Sequence, residues 1–238
     1  MPDTPLPKSA IADDMAMIRA ASELTRDLVA PRPLIYWADM LGSATVGYAA
    51  LYATIMVQAV PLALFCALIA IAALFRAGTF IHELTHIKTA SLPWFRFGWN
   101  ALIGVPMLIP SFLYEGIHSL HHARTRYGTV EDPEYLPLAL MKPWTVPVFV
   151  IVSFFGPIAL LFRFGVLGPL SMLVPPLRRI VRERYSGLII NPDFRRRPPE
   201  GELKANWMWQ EMAVSLWSMA VIAGLWSGII PLRTFLIY

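Results

Sequence analysis

The sequence predicts an all-α integral membrane protein: a transmembrane helical hairpin, interfacial helices and a further C-terminal transmembrane helix. Three observations predict it. Hydrophobic residues make up 56% of the 238-residue chain and charged ones 15%, with a mean hydropathy of +0.54, well away from soluble averages. Residues 40–75 contain no Asp, Glu, Lys or Arg, and one bilayer crossing needs only about 20 apolar residues. A second uncharged run of spanning length covers residues 212–232.

Residues 1–33 form the first segment. Ile11, Met15, Ile18, Ala21, Leu24 and Leu28 recur at three-and-four spacing with acids and bases between them, which predicts an amphipathic helix on a bilayer surface or cytosolic face. The Pro31-Arg32-Pro33 stretch ends it, and no cleavable leader is expected, because these residues lack a continuous apolar core. Residues 34–238 form the membrane domain. Two passes fit the uncharged run, with Pro61 near the bend. A helix rising about 1.5 Å per residue from Pro61 reaches His82 after about 31 Å, where hydrocarbon ends, so the second pass carries residues 82–86 out of the membrane.

Residues 97–114 are apolar but broken by Gly104, Pro106 and Pro110, which predicts an interfacial or re-entrant path rather than a crossing. Residues 145–177 are apolar with five prolines and Arg163 among them, and a monolayer-embedded segment or tight hairpin is expected. The following loop holds Arg178, Arg179, Arg182, Arg184, Arg195, Arg196, Arg197 and Lys204, a density that keeps loops cytoplasmic. The final residues, 233–238, rise in hydrophobicity like the first turn of another span. Cys66, the only cysteine, lies inside the first uncharged run and reads as a structural, inert thiol.

All five histidines fall in two short stretches, "HELTH" at 82–86 and "HSLHH" at 118–122. His82 and His86 share a helix face, as do His118, His121 and His122. Clustered imidazoles select transition metals, whereas magnesium and calcium prefer oxygen ligands. One reading is zinc hydrolysis through H-E-x-x-H, with Glu83 activating water and a third ligand from HSLHH or Asp193. That chemistry leaves the other clustered histidines without a task.

The two boxes together resemble the membrane fatty acid desaturase and lipid hydroxylase family, whose signature is H-x-x-x-H, then H-x-x-H-H, then a distant third box. "YGTVEDPEYLP", residues 127–137, resembles the acidic stretch that follows the second box in bacterial members. The resemblance implies that His82, His86, His118, His121 and His122 are iron ligands of a diiron centre on the cytoplasmic side of a bacterial inner membrane. It further implies fatty acid or acyl-lipid desaturation with O2, on an acyl-chain substrate, with electrons from a ferredoxin or cytochrome b5-like donor; nucleic acid is not an expected partner. No histidine follows His122, so the third box is absent, and the chain is expected to be a truncated member whose last ligands lie beyond Tyr238. An inactive membrane fragment stays open on the same ground.

Among nearby acids, Glu115 lies three residues before His118 and is expected to serve as a ligand or as a partner behind one. Glu131, Asp132 and Glu134 read as capping and hydrated groups beside Pro133. Tyr114 and Asn100 receive no role. The arginine-rich loop reads as a consequence of topology rather than as a docking surface for an acidic donor.

Overall fold

A computed structural model describes residues 8–238, and no strand occurs among them. The amphipathic helix α1 spans Lys8–Val29; Met15, Met17, Ile18 and Leu24 stand exposed, and residues 1–7 of the N-terminal segment lie outside the described residues. Helices α2 (Pro33–Met56) and α3 (Val60–Gly78) form the hairpin read from the uncharged run. Prolines in their first turns cost no hydrogen bond there. The faces that meet are made of small residues, Ala44 and Gly47 on α2 and Ala70 and Ala77 on α3, with the Leu74 side chain packed against Gly47.

Thr79 joins α3 to α4 (Phe80–His86) with little change of direction, its hydroxyl donating to the Arg76 carbonyl at 2.7 Å. Val60–His86 is thus one 27-residue helical stretch, long and apolar enough to cross a membrane. It stops where Ile87 turns extended, and Trp94 adopts the left-handed region before α5 (Phe95–Trp99). A π-helical turn, Asn100–Gly104, continues α5, and the chain reverses after it, past Leu108 in the left-handed region, so residues 97–114 do not run as a single helix. The buried Asn100 holds this reversal: its Nδ2 donates to the Arg96 carbonyl at 2.8 Å, and its Oδ1 accepts the Ser111 N–H at 2.8 Å.

After the short α6 (His118–His121) come α7 (Thr145–Phe154), α8 (Gly156–Phe162), a π-helical turn at Arg163–Leu167, α9 (Gly168–Leu173) and α10 (Pro175–Arg184). Within the segment 145–177, a break at Phe155 separates α7 from the helices that follow. Gly156–Leu173 is an unbroken 18-residue helical stretch, apolar enough to cross a membrane. Pro157 and Pro169 do not break it, because each sits in the first turn of its helix and the π turn absorbs the second.

Helix α11 (Gly201–Trp226) departs from expectation. It ends at Trp226 instead of running to Leu232, since Gly228 takes a positive φ and Pro231 starts the terminal α12 (Leu232–Ile237). Its first half carries Glu202, Lys204, Gln210 and Glu211, so it is less apolar than Val60–His86 and Gly156–Leu173. Two apolar cores result. One joins α2, α3, α4 and α5 around Met40, Phe80, Phe95 and Trp99; the other joins residues 108–113 to α8 and α11 around Phe112, Phe164 and Trp207.

Candidate metal centre

Helical spacing places His82 and His86 on one face of α4, and His118 and His122 on one face at α6. The reversal held by Asn100 brings the two faces together. One ring nitrogen from each of His82, His86, His118 and His122 lies within 4.8 Å of the others, close enough to share an ion. The His82 and His118 rings are 4.6 Å apart, and Nε2 of His118 faces Nε2 of His122 at 2.8 Å. His118 is buried, while the other three are exposed at the mouth of the site.

Carboxylates aim two of the rings. Nδ1 of His118 donates to Glu134 at 2.9 Å, which leaves the Nε2 lone pair directed at the centre. Nδ1 of His121 donates to Asp132 at 3.0 Å. His121 stands one layer out, 5.6 Å from the His122 ring, and is not among the four converging donors. The donor set fits a transition metal: four imidazoles, one already oriented by an acid behind it.

Asp132 is fully buried. Burial pushes its carboxyl pKa up, but the N–H groups of Gly128 and Glu134, both at 2.9 Å, and His121 outweigh it and hold the pKa below the usual carboxylate range. Tyr114 stacks on His118 and donates to Glu134 at 3.1 Å; burial first, then the Glu134 charge, pushes its phenol well up, so it stays a neutral donor.

Glu115 does not take the place expected for it. Its carboxylate is held by Arg96 at 3.1 Å and by the Ser111 hydroxyl, so Glu134 and Asp132, not Glu115, support the imidazoles. The sequence signal was available in the Asp-Pro-Glu spacing, where Asp132 Oδ1 accepts the Glu134 N–H at 2.9 Å in a tight turn at Pro133 and both acids reach the histidines. Glu83 accepts the Tyr36 hydroxyl at 3.0 Å, and Asp193 is not among the converging donors.

Two pieces of chain lock this arrangement. Arg96 donates to Glu115, to the Thr89 hydroxyl at 2.6 Å and to the Leu84 carbonyl at 3.2 Å, joining the first box to the approach of the second. Arg196 is buried against the Trp207 ring and donates to the carbonyls of Phe112 and Glu115, both at 2.7 Å, and of Ser186. One of the loop arginines read as topological is therefore a structural clamp.

A cavity of about 620 Å³ begins at His82 and Tyr114 and runs between α2 and α3 and residues 103–109, as far as Thr54 and Ala67. Its walls are almost entirely hydrocarbon, from side chains such as Leu51, Leu74, Phe75 and Met107.

The chain is similar to a ceramide hydroxylase of Caulobacter vibrioides (strain NA1000 / CB15N), with 44% identity over 225 residues. That match takes in 94% of this chain and 64% of the relative, so the chain spans just under two thirds of the relative's length. No solved structure matches it. The family model described as fatty acid desaturase matches residues 55–238, both histidine boxes included, and the chain belongs to that family.

Proposed function

We propose that this chain carries most of the active centre of a membrane-bound, iron-dependent lipid oxidoreductase, and that its reaction is hydroxylation of a long-chain, ceramide-like lipid. The observation that carries the reading is the hydrocarbon-walled cavity opening onto His82. An acyl chain buried there gains about 0.8 kcal/mol per CH2 and is held with one carbon next to the imidazole cluster. Iron bound by His82, His86, His118 and His122 would supply the O2 chemistry that attacks an unactivated C–H bond, which no side chain provides.

The residues divide the remaining work. Leu51, Leu74, Phe75 and Met107 bind the chain and exclude water, and Glu134 orients His118. The phenol of Tyr114, neutral and hydrogen-bonded to Glu134, lines the end of the cavity next to the cluster. Hydroxylation is preferred over desaturation because the similar protein is a ceramide hydroxylase. In this reading Val60–His86 and Gly156–Leu173 lie in the inner membrane, the boxes face the cytoplasm, and electrons come from a ferredoxin or cytochrome b5-like donor.

The test is metal analysis and lipid mass spectrometry of the complete natural protein, expressed in a host lacking it. Iron and lipids that gain one oxygen atom are expected, both lost in His86→Ala and both kept in Glu83→Gln. Products that instead lose a hydrogen pair would make the enzyme a desaturase. Zinc without iron, with activity abolished by Glu83→Gln, would replace the reading with a hydrolase.

A further inference from the structure

Gly156–Leu173 has the length and composition of a crossing, yet the excursion that contains it is tied to one place at both ends. The Pro133 carbonyl accepts the N–H groups of Ile190 and Asn191 at 3.0 and 3.1 Å, and the Asn191 side-chain amide donates back to the carbonyls of Val130 and Asp132 at 3.0 and 2.9 Å. The Leu188 N–H reaches the Leu113 carbonyl at 2.8 Å. Residues 133 and 188–191 therefore stand together beside the second histidine box, whose His121 donates to Asp132.

The middle of the stretch is tied there as well. Arg163, in its π-helical turn, donates to the Tyr185 carbonyl at 2.6 Å and to the Ser186 hydroxyl at 2.9 Å. The Ser186 carbonyl is in turn held by Arg196, which also binds the carbonyls of Phe112 and Glu115. A guanidinium fixed in this way cannot sit at the midplane of a bilayer while the second box sits at its surface.

We infer that residues 134–187 enter and leave the same leaflet, the one beside the histidine boxes, and that α7 is their docking surface for its acyl layer. The inference rests on the membrane part of the reading above, in which Val60–His86 crosses, and not on the reaction. The ten residues of α7 rise about 15 Å, half of a hydrocarbon layer roughly 30 Å thick. Every residue of α7 except Thr145 is exposed, on all sides of the helix. A protein partner covers one face of a helix, whereas apolar side chains exposed all round call for a fluid apolar solvent. The polar groups of α7 suit that solvent too. The Ser153 hydroxyl donates back to the Phe149 carbonyl at 2.8 Å, and at the break the Phe155 N–H stays bonded to the Val152 carbonyl at 3.1 Å. Trp144, exposed at the foot of α7 next to Lys142 and Pro143, marks the level of the head groups.

The test uses the complete natural protein carrying Cys66→Ser, with single cysteines introduced one at a time, in vesicles of defined sidedness and with a membrane-impermeant maleimide. Thr125→Cys marks the side of the histidine boxes, and Gln58→Cys, between α2 and α3, marks the opposite side. Lys142→Cys and Arg184→Cys should both react from the Thr125 side and lose all label from the other. A bimane carried on Phe154→Cys, at the end of α7, should lose its fluorescence to lipids brominated on their acyl chains and keep it in water-soluble iodide. Reaction of Lys142→Cys and Arg184→Cys from opposite sides would make Gly156–Leu173 a crossing and overturn the proposal. Reaction of Phe154→Cys from the Gln58 side would make the segment a complete hairpin through the bilayer and overturn it too. A bimane quenched by iodide would put α7 in water, and one quenched by neither agent would put it against protein; either result overturns the leaflet assignment. Thr125→Cys and Gln58→Cys on one side would sink the membrane reading of Val60–His86 and this inference with it, whereas the other failures leave that reading standing.

Discussion

At the scale of single residues, the centre depends on acids that never touch an ion. Replacing Glu134 with Gln or Asp132 with Asn removes the negative charge of the acceptor that aims an imidazole, and such changes cost about 10–100-fold in metal affinity. Metal titration of the variants checks this, with Glu131→Gln, an exposed neighbour, as the unaffected control. Asp132 also makes a pH prediction. Its folded pKa lies below the ordinary value of about 3.9, so its contribution to stability is fully present above that pH and is lost as pH falls through the lower folded value. The difference in thermal stability between wild type and Asp132→Asn should therefore be constant from neutral pH down to about 5, then close below about 4. A gap that persists unchanged at still lower pH would show that the charge of Asp132 does not contribute.

At the scale of elements, the hairpin is held by close approach. A Cβ added to Gly47 would lie 2.7 Å from the Leu74 side chain and 3.1 Å from its backbone nitrogen, while one added to Gly42 meets nothing within 4 Å. Gly47→Val should cost about 1–3 kcal/mol by overpacking. Gly42→Ala, on the same helix, should be neutral or stabilising by up to about 1 kcal/mol. Melting temperatures of the two variants in one detergent give the comparison. These elements differ in how legible they were. The hairpin could be read because an uncharged stretch of that length has few alternatives, and the histidine boxes because three-and-four spacing is a property of one helix. The helical continuity of segment 156–173 was less legible because its prolines look like breakers in sequence, whereas a proline in a first turn removes no hydrogen bond. The carboxylates behind the imidazoles were assigned wrongly for another reason: whether Glu115 or Glu134 faces His118 is decided by the competing pull of Arg96, 19 residues away from Glu115.

At the scale of the whole molecule, a buried polar path joins the apolar stretch Gly156–Leu173 to the imidazole cluster. Glu211 on α11 accepts from Arg163 at 2.7 Å, from Arg178 at 2.6 and 2.9 Å, and from Trp207 at 2.9 Å. Burial alone would raise its pKa, but Arg178 and Arg163 hold it down to about 2. Its neighbour Gln210 accepts the Phe112 N–H at 2.8 Å and the Ser111 hydroxyl at 3.2 Å, and Ser111 reaches Glu115 and through it Arg96 and the first box. Two guanidiniums on one carboxylate leave an excess of buried positive charge, and Arg163 Nη1 and Arg178 Nε have no hydrogen-bond partner among the described residues. Glu211→Ala should therefore be among the most damaging single changes, costing about 3–5 kcal/mol by stranding both cations. Replacing Glu211, Arg163 and Arg178 together with apolar residues of similar volume should restore most of that loss, because a buried charge cluster contributes little net stability over well-packed hydrocarbon. Thermal unfolding of the single and triple variants measures the difference, and iron content measured on the same samples reports whether the path positions the histidines. Recovered stability with iron still lost would mean that the cluster serves the centre rather than the fold; recovery of both would mean that it only holds α11 against α8 and α10.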